Sequence, residues 1–243
     1  MKLRTKKAYI FDVDGTLTEP RQKMTPGFLK AFKLWCRGKQ LFIATGSDFP
    51  KTKEQVPESI LRCFRGIFCC MGNVLLSGAG QILEKSNFVI PDDLSDDLAH
   101  ILVHSTYPLK TGSHLEFRTG MVNFSTVGRN ATLSERNEYS KWDLVNGERQ
   151  KIADIINANY PDLEASVGGS ISIDIIEKGK DKGQVVKWLL NKGFDDITFV
   201  GDRCAKGGND FGIIRELNKS SINFNWYNVS GPHEVLELLK RFK

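Results

Sequence analysis

The strongest constraint on the fold is an apolar run that ends abruptly in two aspartates. Tyr9–Phe11 is apolar, and Asp12 and Asp14 follow it with one valine between them. A buried strand that carries acids at its carboxyl end is typical of open α/β sheets, which bind their ligands at that edge. The run therefore predicts a central parallel strand with a charged site at its end.

The alternation of strands and helices occurs in the first and the last part of the chain. Apolar runs at 41–44 and 67–70 each follow a helical pattern, so the first part alternates between strand and helix. From Asp181 a helix leads to a strand at 197–200, which also ends in an acid, Asp202. This order predicts an α/β fold built on a doubly wound parallel sheet.

The middle of the chain has a different pattern. A hairpin with a two-residue turn is predicted at 115–125, and one long helix from about 134 to 159. Residues 170–175 alternate between isoleucine and polar side chains, which predicts a strand whose polar face is turned to a ligand. We therefore expect an inserted α+β cap at 81–179, and a discontinuous core formed by 1–80 and 180–243.

Composition argues against several kinds of partner. The net charge of +5 is mild and spread along the chain, so it suits an anionic small substrate and does not indicate nucleic acid. No apolar run approaches the about 20 residues of a membrane span, and the first residues do not resemble a signal peptide. The five cysteines form no C-x-x-C pair. We expect reduced thiols in a cytoplasmic protein that binds no membrane.

Acids follow two strands of the predicted core, Asp12 and Asp14 after one and Asp202 after another. Clustered carboxylates repel one another unless a cation lies among them, and few oxygen ligands with an open face favour Mg²⁺. Lys182 begins the helix that re-enters the core and would neutralise more of the charge. The sequence thus predicts a magnesium site at the sheet edge.

The same edge is suited to phosphoryl transfer. Thr45 or Ser47, in the turn after the second strand, would hold phosphoryl oxygens. Asp12 would attack phosphorus to form an aspartyl phosphate, and Asp14 would act as general acid and base on the sugar oxygen. Each motif alone is often only a turn, a surface lysine or a flexible loop. Their joint order, which ends in the glycine-rich loop 207–210, is far more specific and favours a functional site.

This order of motifs resembles the haloacid dehalogenase (HAD) superfamily of phosphotransferases, and more closely its eukaryotic-type phosphomannomutases. The runs that carry the resemblance are DVDGTLTEPRQK, GSDFPKTKEQV, EFRTGMVNFSTVGRNATLSERNEY, GGSISIDIIEKGKDK and FVGDRCAKGGNDFGI. They cover nearly the whole chain, and the long cap run is the most specific. The resemblance implies a HAD-like catalytic core and a cap that binds the substrate.

The resemblance also implies a role for each motif residue. Asp12 would be the phosphoryl-accepting nucleophile and Asp14 the acid/base, and Mg²⁺ would be held by Asp12, the backbone of Asp14, and Asp202. Asn209 and Asp210 would support the metal loop. The residues that would contact the substrate are Arg21 in the core and, in the cap, Arg118, Arg129, Arg136, Ser172 and Asp174.

The cap arginines distinguish the two enzymatic hypotheses. Guanidinium groups suit phosphate, so Arg118, Arg129 and Arg136 would form an anion clamp for the distal phosphate of the sugar. A mutase needs this second clamp because its hexose 1,6-bisphosphate intermediate, which also serves as activator, must turn around. The alternative is a HAD-type sugar-phosphate phosphatase. It is favoured by Thr45, and by Cys70-Met71-Gly72 where the family has Glu-Asn-Gly.

The leading hypothesis is an isomerase that interconverts mannose 6-phosphate and mannose 1-phosphate and feeds GDP-mannose synthesis. The choice between mannose and glucose is open at this point, and a catalytically silent binding module is a third possibility. The resemblance further implies a homodimer formed through the cap. The apolar helix at 94–102 is the expected surface for it.

Overall fold

The computed structural model describes residues 5–242, which fall into two compact units. The core unit comprises the described residues up to Lys85, Lys180–Lys206, and those from Asp210 onwards. The cap unit comprises Ser86–Gly179 and Gly207–Asn209. Among the described residues, no helix has both the length and the apolar character that crossing a membrane requires.

Strands and helices alternate along most of the chain. The strands are β1 (Lys7–Phe11), β2 (Leu41–Ala44), β3 (Gly66–Cys69), β4 (Val74–Leu76), β5 (Ile82–Lys85), β6 (Leu115–Arg118), β7 (Met121–Phe124), β8 (Leu163–Gly168), β9 (Ser172–Glu177), β10 (Asp196–Gly201) and β11 (Asn223–Asn228). The helices are α1 (Pro26–Trp35), α2 (Phe49–Gln55), α3 (Glu58–Leu61), α4 (Asp93–His104), α5 (Leu133–Asn146), α6 (Glu148–Asn159), α7 (Gly183–Asn191), α8 (Phe211–Lys219) and α9 (Pro232–Arg241).

The core unit is built on a seven-stranded sheet in the order β11–β10–β1–β2–β3–β4–β5. The strands from β11 to β3 pair in parallel, and β4 and β5 extend the sheet as antiparallel strands. The predicted α/β fold with a doubly wound parallel sheet is thereby confirmed. β5 belongs to this sheet, although the sequence predicts the cap to begin at residue 81.

Strand β1 is buried on both faces. Ile10 packs in a cluster with Val185 of α7 and Ile213 of α8. Phe11 points to the other face, where its ring centroid lies 5.6 Å from that of Phe32 in α1. Successive side chains of a strand point to opposite faces, so a strand covered on both sides reads as a continuous apolar run. This packing explains why the residues before Asp12 are apolar.

The prediction of one helix from about 134 to 159 is wrong, because the chain breaks at Gly147. This glycine takes a left-handed conformation with φ of 64°, which ends α5, and its amide donates to the carbonyl of Asp143 at 2.7 Å. The carboxylate of Asp143 then accepts from the amide of Arg149 at 2.8 Å and from its Nε at 2.7 Å. Asp143 thus ties the end of α5 to the start of α6.

The cap unit contains a four-stranded antiparallel sheet in the order β6–β7–β9–β8. One face is apolar, and Phe124 and Ile173 on it pack in one cluster with Leu94 and Leu98 of α4 and with Ile152 of α6. Leu94 and Leu98 of α4 are therefore buried in the cap's own core, and pairing of two copies through this helix stays a prediction. The opposite face carries polar side chains.

Candidate active site

A lysine lies at the centre of the charged site in the core unit. Nζ of Lys182 is 2.6 Å from Oδ1 of Asp12 and 2.7 Å from Oδ1 of Asp210, and none of the lysine side chain is exposed. Burial alone would lower the pKa of Lys182, but the charges of Asp12 and Asp210 outweigh it and raise that pKa. The lysine therefore carries a full positive charge between two carboxylates.

The sheet brings these groups together from distant parts of the chain. Phe11 at the end of β1 pairs with Val200 of β10, and the amide of Asp12 donates to the Val200 carbonyl at 3.0 Å. Asp202 follows the end of β10, so the acids after two neighbouring strands meet at one edge. Lys182 immediately precedes α7, which packs against the same sheet.

Three carboxylates form what we call the acid cluster: Asp12, Asp202 and Asp210. Each offers an oxygen within 4.8 Å of those of the others. Burial raises the pKa of Asp12 well above its usual range, Asp210 and Asp202 add to the increase, and Lys182 opposes it. Burial and the charge of Asp210 raise the pKa of Asp202 to about 6. One lysine cannot balance three acids, so the donor set fits a divalent cation.

A glycine allows the loop after β1 to approach this cluster. Gly15 has φ of 80°, and a Cβ added there would lie 2.5 Å from Oδ2 of Asp202. Any other residue would therefore be strained by its backbone and would collide with the carboxylate. The glycine of the D-x-D-G motif is explained by this contact.

Asp14 lies in a different network from the acid cluster. Its Oδ1 accepts from the amide of Arg21 at 3.0 Å, and its Oδ2 accepts from Oγ of Ser47 at 3.4 Å. Thr45 is buried, and its Oγ1 accepts from the amide of Ser47 at 3.1 Å. Thr45 thus shapes the 45–47 turn, and Ser47 connects that turn to Asp14.

In the cap unit, one carboxylate organises two of the predicted arginines. Glu116 accepts from Nε of Arg118 at 2.8 Å and from Nε of Arg129 at 3.1 Å. Nη1 of Arg129 also donates to Oγ of Ser172 at 2.7 Å. Glu116 was not predicted from the sequence, but its position two residues before Arg118 in a strand places both side chains on one face.

Asp174 belongs to the same face of the cap sheet. It pairs with Asn123 in the register of β7 and β9, and Nδ2 of Asn123 donates to its Oδ1 at 2.6 Å. Glu116 pairs with Asn123 on the other side, in β6. Asn123 carries no functional signal in the sequence either, since only the pairing of the strands shows that it joins this polar face.

Arg136 holds the segment that carries Arg129. Its side chain is buried, and it donates from Nε to the carbonyl of Ala131 at 2.7 Å and from Nη2 to the carbonyl of Arg129. These contacts position Arg129, whereas the direct contact of Arg136 with phosphate stays a prediction. Asn209 also stays a prediction: its Oδ1 is buried without a hydrogen-bond partner among the residues that the structure describes.

Comparison by sequence relates the chain to a known family. A family model described as eukaryotic phosphomannomutase matches residues 29–241. A protein of Dendrobium officinale named phosphomannomutase is 34% identical over 239 residues, which is 95% of this chain and 92% of the relative. A phosphomannomutase of Schizosaccharomyces pombe is 32% identical and covers 97% of this chain and 94% of its own length.

Comparison by structure finds HAD-type phosphatases. The C-terminal domain of a trehalose-6-phosphate phosphatase of C. albicans matches with a TM-score of 0.66 at 16% identity, over 98% of this chain and 91% of that one. A haloacid dehalogenase-like hydrolase of Bacteroides thetaiotaomicron matches with a TM-score of 0.59 at 13% identity, over 98% and 99%. At such low identity these likenesses show the fold alone.

Proposed function

The chain belongs to the eukaryotic phosphomannomutase family, and on this premise we propose that it interconverts mannose 6-phosphate and mannose 1-phosphate in the cytoplasm. It is an enzyme of the phosphomutase class. The product mannose 1-phosphate would serve GDP-mannose synthesis. The observation that carries the proposal is the Asp12 carboxylate at the end of β1, bound by the buried Lys182 and flanked by two more acids.

Asp12 is the proposed nucleophile. One of its carboxylate oxygens attacks phosphorus of the hexose 1,6-bisphosphate, a bond from that oxygen to phosphorus forms, and the bond from phosphorus to the sugar oxygen breaks. Asp14 gives a proton to the departing sugar oxygen. In the return step it takes the proton from the hydroxyl that attacks the aspartyl phosphate. Ser47, which donates to Asp14, and the 45–47 turn would hold the phosphoryl oxygens.

The family implies a metal ion, and we propose that it is Mg²⁺. Asp12 and Asp202 would hold it with the backbone of Asp14, and Asp210 supports them from the same acid cluster. When bound, the cation offsets the repulsion between the carboxylates and the substrate phosphate. Lys182 contributes a fixed positive charge beside Asp12.

The polar face of the cap sheet is the proposed site for the second phosphate. Arg118 and Arg129 are largely buried and share the carboxylate of Glu116, so their guanidinium groups are already oriented. A phosphate dianion suits such a pair of planar donors. A second anion site is what a bisphosphate intermediate requires, and it supports a mutase over a phosphatase.

The test of this proposal follows isomer and free phosphate in one assay. Purified protein with Mg²⁺ and a hexose 1,6-bisphosphate should convert mannose 1-phosphate to mannose 6-phosphate, and a chelator should abolish the reaction. Glucose 1-phosphate in a parallel assay tests the sugar preference. Release of phosphate without isomer would instead establish the sugar-phosphate phosphatase. No turnover of either kind would contradict both activities.

Replacing Arg129 by leucine should separate the two phosphate sites. We expect the KM for the hexose 1,6-bisphosphate to rise about 10–100-fold, because a charged hydrogen bond to phosphate contributes about 1.5–3 kcal/mol. Phosphorylation of Asp12 by acetyl phosphate should keep its rate, since that donor has no second phosphate. Arg62→Leu removes an exposed arginine paired with Glu58 and is the matched control. An unchanged KM would remove Arg129 from substrate binding.

Pairing of two copies through the cap stays a proposal. Leu94 and Leu98 of α4 are buried in the cap's own cluster, so a contact through this helix would use its other side chains, of which Ile101 and Leu102 are only partly buried. Light scattering of the purified protein measures whether it has the mass of one chain or of two.

A further inference from the structure

The turn that follows β3 has an unfavourable backbone. Cys70 and Met71 both take left-handed conformations with φ of 52° and 62°, and Gly72 follows with φ of 101°. Left-handed conformations are sterically unfavourable for residues with a Cβ, and two in succession persist only when the surroundings enforce them. Both side chains are buried. The 70–72 turn is thus a strained segment inside the core unit.

The strained turn holds the proposed phosphoryl-binding turn. The amide of Cys70 donates to the carbonyl of Ser47 at 2.9 Å, and the amide of Met71 donates to the carbonyl of Thr45 at 3.0 Å. The left-handed conformation of Cys70 sets the direction of the Met71 amide. A change in that geometry would therefore move the 45–47 turn.

Gln184 is the side chain that connects the strained turn to α7. Its Nε2 donates to the carbonyl of Met71 and to the carbonyl of Lys180, each at 2.9 Å. Its Cγ lies so close to Gly72 that a Cβ added to that glycine would be 2.7 Å away. Gln184 stands two residues after Lys182. The start of α7 therefore carries both the lysine that binds the Asp12 carboxylate and the side-chain amide that binds the Met71 carbonyl.

We propose that Gln184 is a positioning residue for phosphoryl transfer. By holding the Met71 carbonyl it keeps the 70–72 turn in its strained form, and through the two amides it keeps the 45–47 turn aligned with Lys182 and Asp12. The inference rests on the proposed function in one respect, namely that the 45–47 turn holds phosphoryl oxygens. It does not depend on whether the phosphoryl group later goes to a sugar or to water.

The test is the single-turnover phosphorylation of Asp12 by acetyl phosphate with Mg²⁺, followed by intact mass spectrometry. The reaction forms the bond from the Asp12 oxygen to phosphorus and releases acetate. Gln184→Met keeps the length of the side chain and removes its donor. We expect its rate constant to fall about 10–100-fold, as a misplacement near 1 Å would cause. The final fraction of phosphorylated protein should equal that of the wild type.

A second variant tests whether backbone strain is the cause. Asparagine tolerates the left-handed conformation better than methionine does, so Met71→Asn in the Gln184→Met background should restore most of the lost rate. Gln150→Met is the matched control, since this exposed glutamine on α6 bonds only to Asp154 among the interactions described for it. Its rate constant should equal that of the wild type.

The outcomes separate this inference from the proposed function. If Gln184→Met had the rate constant of the wild type, the inference would be overturned. It would also be overturned if only the final phosphorylated fraction fell while the rate constant stayed the same, because that result indicates misfolded protein. Failure of the wild type to form any phosphoenzyme would overturn the proposed function and the inference together. Phosphoenzyme formation followed by hydrolysis alone would contradict the mutase and leave the positioning role supported.

Discussion

Replacing Asp12 by asparagine is expected to lower phosphoryl transfer by about 10⁴-fold or more, as loss of a nucleophile does in other covalent mechanisms. The amide oxygen of asparagine is a poor nucleophile and forms no stable phosphoryl adduct. The change keeps the shape of the side chain, and Lys182 keeps its ion pair with Asp210 at 2.7 Å. The variant should therefore fold and bind substrate but should show no phosphoenzyme by mass spectrometry.

The control for this prediction removes a comparable acid elsewhere. Asp154→Asn changes an exposed carboxylate on α6, which accepts from Gln150 at 2.9 Å, and should leave the rate unchanged. If Asp12→Asn retained full isomer formation, Asp12 would not be the nucleophile. A catalytically silent binding role would become the better hypothesis only if the wild type lacked turnover.

Of the substitutions proposed for this protein, Lys182→Met should cause the largest loss of folding stability. Methionine fills a similar volume but leaves Asp12 and Asp210 buried without their cation, and breaking a buried ion pair costs about 3–5 kcal/mol. We expect the free energy of unfolding, measured with denaturant, to fall by that amount. Phosphorylation of Asp12 should fall as well, because the lysine no longer offsets the charge that gathers there.

Two further variants show whether the buried charges are the cause. Adding Asp210→Asn to Lys182→Met removes one of the unpaired carboxylates and should restore part of the stability but not the activity. Lys187→Met changes a lysine of the same helix that is 54% exposed and lies 3.8 Å from Glu216, so its effect should be within about 1 kcal/mol. If Lys182→Met were as stable as the wild type, the ion pairs of Lys182 with Asp12 and Asp210 would not contribute to folding stability.

The fold could be predicted in large part because its signals are local. The run before Asp12 is apolar since β1 is covered on both faces, and the Thr119-Gly120 dipeptide marks the hairpin of β6 and β7. The break at Gly147 was missed because the helical pattern continues across it. A glycine inside such a pattern is tolerated in many helices, and only the contacts of Asp143 decide that the helix ends there.

The sequence by itself determined the order of the motifs, the doubly wound fold and the family, because periodicity and short motifs depend on neighbouring residues. Only the tertiary structure decided the surroundings of those motifs. Lys182 meets Asp12 across 170 residues of chain, and Gln184 meets Met71 across 113. Such contacts depend on how every intervening element packs. Only these contacts show that Lys182 is a buried cation and that Gln184 binds the strained 70–72 turn.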